Sequence, residues 1–398
     1  MVATVKKKRD EIPINRDVLR WARERIDLSY DDAAEGARVK PQQIEEWESG
    51  PKAPTVRQAR KLAQVYDRPF LEFFAKRRPT LKEPTLVPDF RMNRETESSK
   101  QRHELVEIQS RAEDVRTNAL DLYELLGEQP PKLPDKIYAA READDANATA
   151  ARVREIIDIP VDEQLGLKAS ERDGFVKILR NKIEAKGILV VKNSGLQHFG
   201  ARGMCIFASP LPIIVLSNEA PSAQAFTLVH ELGHIARRQS AISGPPGSAP
   251  ASAKNIEGWC DEFAAAFLIP KLALTRLIEK PSRPAAQIED EILDKLARAF
   301  AVSRHAMLIR LVNLGYVESA YYWNVKRPQF LDEERAYKSK ARSKYYGSRY
   351  RSSRGDLYTG LVLEAWSSGI ITNHSAAEFM GIKNIAHLDA IRDRFGGR

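Results

Sequence analysis

Residues 230–234 read His-Glu-Leu-Gly-His. On a helix, positions i and i+4 stack on one face, so His230 and His234 can offer two imidazoles to one divalent cation, with Glu231 beside them. Zinc held there would lower the pKa of a water molecule and the Glu231 carboxylate would take its proton, which points to metal-assisted hydrolysis. Such a site needs a third protein ligand and an open fourth position. The next helix offers Glu257 and Asp261, again i and i+4. Glu257 is assigned as the third ligand, and Asp261 as the carboxylate that holds a ligand histidine by its free ring N–H. Asp261 or Glu262 as ligand is the competing assignment. Cys260 falls between the two acids, precedes Phe263-Ala264-Ala265, and reads as core. A bare pattern of this kind also arises by chance. The apolar flanks Leu228, Val229, Leu232 and Ile235 and the acidic helix that follows argue for a real metal site.

The elements that must position these residues follow from periodicity. A helix is expected from about 222 to 238, a loop over 239–254, and helix again over 255–279 with a break at Pro270. Before them, 187–191, 205–208 and 213–216 read as short strands, and 137–186 as helical with a break near Ile159-Pro160. Residues 100–127 form a long amphipathic helix, with Leu105, Ile108, Ala112, Val115, Ala119 and Leu122 on one face. Upstream, 14–78 reads as five short helices, Ser29 capping the second and Pro41 opening the third. Residues 290–315 read as two helices and 356–396 as three. The expected class is mainly α with a small β-sheet. The expected segments are a five-helix domain over 1–78, a linker over 79–98, a domain holding the candidate metal site over 99–319, a basic linker over 320–355 and a small helical domain over 356–398.

Length, at 398 residues, suggests two to four domains. Cys205 and Cys260 are the two cysteines, which excludes a disulfide framework or a four-cysteine zinc cluster. No run of eighteen apolar residues suggests a membrane span, and the basic N-terminus lacks an apolar stretch behind it, so a reducing cytoplasm is expected. The net charge of +9 is uneven: residues 1–100 carry +5, residues 320–398 carry +6, and the middle −2. Nucleic acid contact is therefore expected at the ends, with ordinary solubility as the plain alternative. Between Arg335 and Arg354 stand eight basic residues, no acidic ones, and Tyr337, Tyr345, Tyr346 and Tyr350. That run suits either phosphate and base contacts or a solvated linker.

The stretch Ala225-Phe226-Thr227-Leu228-Val229-His230-Glu231-Leu232-Gly233-His234, with the run from Glu257 to Pro270, resembles the ImmA/IrrE family of zinc metallopeptidases. Glu46-Trp47-Glu48-Ser49-Gly50 with Pro54-Thr55 resembles an XRE-type helix-turn-helix. Tyr66 to Phe74 and Pro88-Asp89-Phe90-Arg91 are similar to the segments joining these modules in long fused members. The resemblance spans roughly residues 14–315 and, more weakly, 355–390. It implies a cytoplasmic bacterial regulator that removes XRE-type repressors by proteolysis or takes part in toxin–antitoxin-like pairs, and it supports the roles given to Glu257 and Asp261. Many relatives carry an arginine where Ala225 stands, which bears on the level of activity.

In an XRE-type domain the third helix enters the major groove of double-stranded DNA and its first residues meet base edges. Here these are Lys40, Gln42, Gln43 and Glu46. Glutamine can pair with adenine, and lysine with guanine or phosphate. Glu45, Glu46 and Glu48 make this helix poorly basic, so phosphate attraction falls to Arg38, Lys52 and Arg57. A dimerisation or substrate-docking role for the domain, including a homodimer, is the alternative. Two functions follow: a regulatory zinc endopeptidase acting on a repressor-like or toxin-like protein, and a DNA-binding regulator or antitoxin whose zincin-like part is a sensor or partner platform.

Overall fold

The computed structural model describes residues 11–26, 28–66, 68, 70–77, 87–89, 99–141, 143–246, 249, 253–336, 345–382 and 384–396. Most of the expected 79–98 linker, and the basic run over 337–344 with Tyr337, lie outside them. The chain divides into two compact units: residues 1–86 with 93–110, and 87–92 with 111–398.

In the first unit, α1 (Arg16–Glu24), α2 (Tyr30–Ala37), α3 (Pro41–Ser49) and α4 (Val56–Val65) are followed by a 3₁₀ turn at Phe70–Phe74. Local chemistry sets the starts. Asn15 accepts from the Asp17 and Val18 amides, Ser29 from Asp32, and Thr55 and Gln58 form a reciprocal capping box. Pro41 opens α3, where its missing N–H is not needed. The apolar positions Val18, Leu19, Ala34, Ile44, Trp47, Leu62, Tyr66 and Phe73 close into one core. Within it, Arg23 donates to both carboxylate oxygens of Glu48 at 2.8 Å and to Leu28 O at 2.9 Å, tying α1 to α3.

The second unit takes the greater part of α5 (Ser99–Leu126), whose expected apolar face is buried, then α6 (Ala146–Ile157), α7 (Val161–Leu165) and α8 (Phe175–Glu184). Four short strands follow: β1 (Leu189–Lys192), β2 (Gly203–Ile206), β3 (Ile213–Leu216) and β4 (Ala241–Ser243), in the order β1-β3-β2-β4. β1 and β3 run parallel, with Val190 opposite Ile214; the other pairs are antiparallel. Between β3 and β4 lies α9 (Pro221–Ala236), which packs on α8, the sheet and α10 (Lys254–Leu268). Every residue of α9 from Ala223 to Ala236 is buried, as expected of a helix with little polar surface. Then come α11 (Lys271–Leu274), α12 (Asp290–Ala299), α13 (Arg304–Asn313), α14 (Ser319–Tyr321), a π-helical turn at Tyr322–Lys326, α15 (Arg327–Ala336), α16 (Tyr346–Arg354), α17 (Asp356–Ser367), α18 (Asn373–Met380) and α19 (His387–Gly396). No helix among the described residues is long and apolar enough to cross a membrane.

The chain is mainly α with a small sheet, as expected. Three local readings differ. Residues 137–141 and 143–145 lie outside any helix before Asp145 caps α6. The 239–254 stretch, read as loop, contains β4, whose three residues are too few for an alternating pattern to register; it pairs with β2, and its Ile242 amide donates to Pro88 O at 2.9 Å. The stretch read as a basic linker is helical over 319–336 and 346–354.

Candidate metal centre

His230 and His234 leave α9 from one face, their ring centroids 5.1 Å apart. Close packing of α10 on α9 brings the acids. A Cβ at Gly233 would lie 3.1 Å from the Phe263 ring and 3.4 Å from Cys260 Sγ, so glycine in the middle of the motif permits this approach. Across that contact Glu257 Oε1 lies 3.0 Å from His234 Nε2, and Glu257 Oε2 lies 3.3 Å from His230 Nε2. The ligand atoms of His230, His234 and Glu257 all fall within 4.8 Å of one another. Asp261, one turn along α10, meets His230 Nδ1 at 3.0 Å. Glu262 instead accepts from Asn147 Nδ2 of α6 at 2.7 Å, so it points to the neighbouring helix. Cys260 is buried and unpaired, as is Cys205.

Electrostatics follow from this packing. Burial alone would raise Glu257, but the two imidazoles override it and hold the carboxyl down at about 2. Burial alone would lower His230, but Glu257 and Asp261 overcome it and push the imidazole well above its ordinary range. Glu231 behaves differently. It has no exposed surface, and neither carboxylate oxygen makes a hydrogen bond of good geometry, although the Ser243 hydroxyl and the Cys205 thiol interact with it. Burial pushes it up; His234, His230 and the Ser243 hydroxyl pull the other way. A Cβ at position 203 would collide with this carboxylate, so glycine in β2 leaves the room it occupies. Two imidazole nitrogens and a carboxylate form a donor set that suits a divalent cation. An orphaned buried carboxylate beside them is costly without a polar partner. On both counts the residues fit a metal site.

Sequence reasoning did not find the polar chain around this centre. Arg202, just before β2, lines the cleft with Thr227, His230, Glu231, Ser243 and Asp261. It pairs with Glu219 at 3.4 Å and with Glu334 of α15. Glu219 accepts from Thr227 Oγ1 at 2.8 Å, one turn before His230. Glu334 also meets His305 Nδ1 at 3.0 Å, and His305 Nε2 lies 2.9 Å from Tyr322 OH. Arg327 donates to Pro246 O from Nη2 at 3.1 Å, holding the loop after β4. Tyr322, Arg327 and Glu334 come from the stretch read as linker; no motif marks them, and only the fold brings them here. Ala225, by contrast, is 1% exposed and packed in the core.

The expected DNA contacts are Arg38, Lys40, Gln42, Gln43, Glu46, Lys52 and Arg57. Of these, Arg38, Lys40, Gln42, Lys52 and Arg57 are exposed, while Gln43 and Glu46 are half-buried. Gln43 Oε1 accepts from the Lys40 amide at 3.0 Å, so its oxygen is used in starting α3. Lys52 Nζ lies 2.9 Å from Glu46 Oε2. Glu48, grouped with the outward acids in the sequence reading, is instead 2% exposed and paired with Arg23.

Comparison with known families agrees with this layout. The family described as helix-turn-helix matches residues 19–73, and the peptidase family described as IrrE N-terminal-like domain matches residues 183–312. No curated protein and no solved structure matches the chain. The second match ends at 312, so Tyr322, Arg327 and Glu334 lie beyond it. The chain is thus an XRE-type helix-turn-helix domain fused to an IrrE/ImmA-like peptidase-family domain.

Proposed function

We propose that this protein is a zinc-dependent endopeptidase of the bacterial cytoplasm that cleaves a repressor-like or toxin-like partner, with its N-terminal domain binding double-stranded DNA. His230, His234 and Glu257 would hold the zinc, and Asp261 would fix the His230 ring through Nδ1. Zinc, when bound, supplies a Lewis acid for the scissile carbonyl and acidifies water. Glu231 accepts a proton from the attacking water at a carboxylate oxygen and returns it to the departing amide nitrogen. The observation that carries the reading is the buried Glu231 carboxylate, without a well-formed hydrogen bond, beside the metal-ligand set. A structural metal site has no use for such a group.

A second reading is a regulator whose peptidase-like part binds a partner with little turnover. Depth favours it: His230 is 5% exposed, and Glu231 and His234 have no exposed surface. Glu231→Gln separates the two. The variant should keep one zinc per chain by elemental analysis and lose cleavage by about 10²–10⁴-fold. A regulatory phenotype equal to the parent's in this variant, with the zinc in place, would leave the second reading standing.

A further inference from the structure

Away from the metal centre, a pocket of about 490 Å³ lies at the C-terminal end of α10, between α6, the turn at Pro160 and the start of α11. Its size falls within the roughly 300–1,000 Å³ of small-molecule sites. Ala151, Ile159, Val161, Ala266, Pro270 and Leu272 give it apolar walls, and Leu272 is 77% exposed. Two buried cations also line it: Arg154, 5% exposed, and Arg310, 2% exposed.

Both arginines close the end of α10. Arg154 Nη1 donates to Phe267 O at 2.6 Å, Arg310 Nε donates to Ile269 O at 2.9 Å, and Gln164 covers Leu268 O at 3.0 Å. Arg154 Nη2 is used on Gln164 Oε1 and Arg310 Nη1 on Asn147 Oδ1. The inventory is incomplete, because Arg154 Nε is buried without an acceptor. Neither guanidinium is in an ion pair among the described residues. Asn147 bridges Glu262 to Arg310, Glu262 and Asp145 also act on Arg310 through space, and the rim acid Asp158 is taken by Lys182 at 2.5 Å. Glu155, also on the rim, is exposed to water. A helix C-terminus carries about half a negative charge, and burial alone acts on Arg154, with no acid beside it, so positive charge is in excess at this end. Burial accordingly lowers both guanidinium groups to about 10.

We propose that this pocket binds a small amphiphilic carboxylate. The anionic group balances the arginine pair, and an apolar body covers Ile159, Val161 and Leu272. The simpler alternative, that the arginines serve α10 alone, predicts no ligand.

Isothermal calorimetry on the full chain tests this with octanoate, and with octanol and octylamine as bodies of equal length but different charge. Saturable octanoate binding with a dissociation constant below about 1 mM is expected, at least about tenfold tighter than octanol, with octylamine weakest. Replacing Arg154 or Arg310 endangers α10, so the blocking variant is Ala151→Phe, placed on an exposed wall. It should keep the parent's melting temperature and weaken octanoate binding about tenfold or more. Absence of saturable binding, equal binding of octanol, or unchanged binding in Ala151→Phe would each overturn the proposal.

Discussion

Each of the two units buries a charged cluster, and they handle it in opposite ways. In the helix-turn-helix domain, Arg23 and Glu48 satisfy each other with two 2.8 Å bonds, and the third guanidinium nitrogen goes to Leu28 O. In the peptidase-family domain, Glu231 is as deeply buried, yet neither of its oxygens makes a hydrogen bond of good geometry. A closed buried cluster holds a fold together. An open one of the same depth destabilises the fold unless a ligand completes it. The contrast separates structural from functional polarity without reference to motif.

The contrast breaks most visibly at Glu48. Glu48→Ala leaves the buried Arg23 with only the looser, half-exposed Glu24 at 3.7 Å, and should destabilise the first unit by about 3–5 kcal/mol, read as a lowered denaturation midpoint. Zinc content of the same variant should equal the parent's. Zinc itself supplies the next largest effect. At about one hundred times its dissociation constant it should stabilise the second unit by about 2.7 kcal/mol, and His230→Ala should erase that gain in a chemical denaturation series. Glu231→Met then sharpens the comparison in the opposite direction. It removes an orphaned carboxylate, so the zinc-free protein should become more stable by about 1–3 kcal/mol while cleavage is lost. A destabilised zinc-free Glu231→Met would mean that the carboxylate already has its partner.

The sequence made the centre of this picture legible, because helical spacing alone puts His230 beside His234 and Glu257 beside Asp261. It assigned Glu257 as the third ligand and kept Asp261 or Glu262 as the competing assignment. How α10 rolls against α9 bears on that choice: Glu262 meets Asn147 and Asp261 meets His230 Nδ1. The chain from Thr227 through Glu219, Arg202 and Glu334 to His305 joins segments up to 132 residues apart, and no local pattern encodes it. Glu48 was legible in principle. It lies one turn beyond the buried Ile44, which turns it to the inside, but its charge suggested an outward face.

The smallest effect concerns DNA and rests on which surface cations are free. Of the three acids on α3, Glu48 is withdrawn into the core and Glu46 is engaged with Lys52. Lys52 therefore brings little net charge to a phosphate, whereas Lys40 is exposed at the start of the helix. Each phosphate contact contributes about 0.9 to the slope of log affinity against log salt. Lys40→Ala should lower that slope by about this amount, and Lys52→Ala should barely change it. Glu46→Ala frees Lys52 and should steepen the slope, provided Glu46 does not itself meet a base. Fluorescence anisotropy across a salt series on a generic duplex would measure all three. An equal loss of slope for Lys40→Ala and Lys52→Ala would show that the Glu46–Lys52 pair opens on DNA, and that the acids of α3 do not restrain binding.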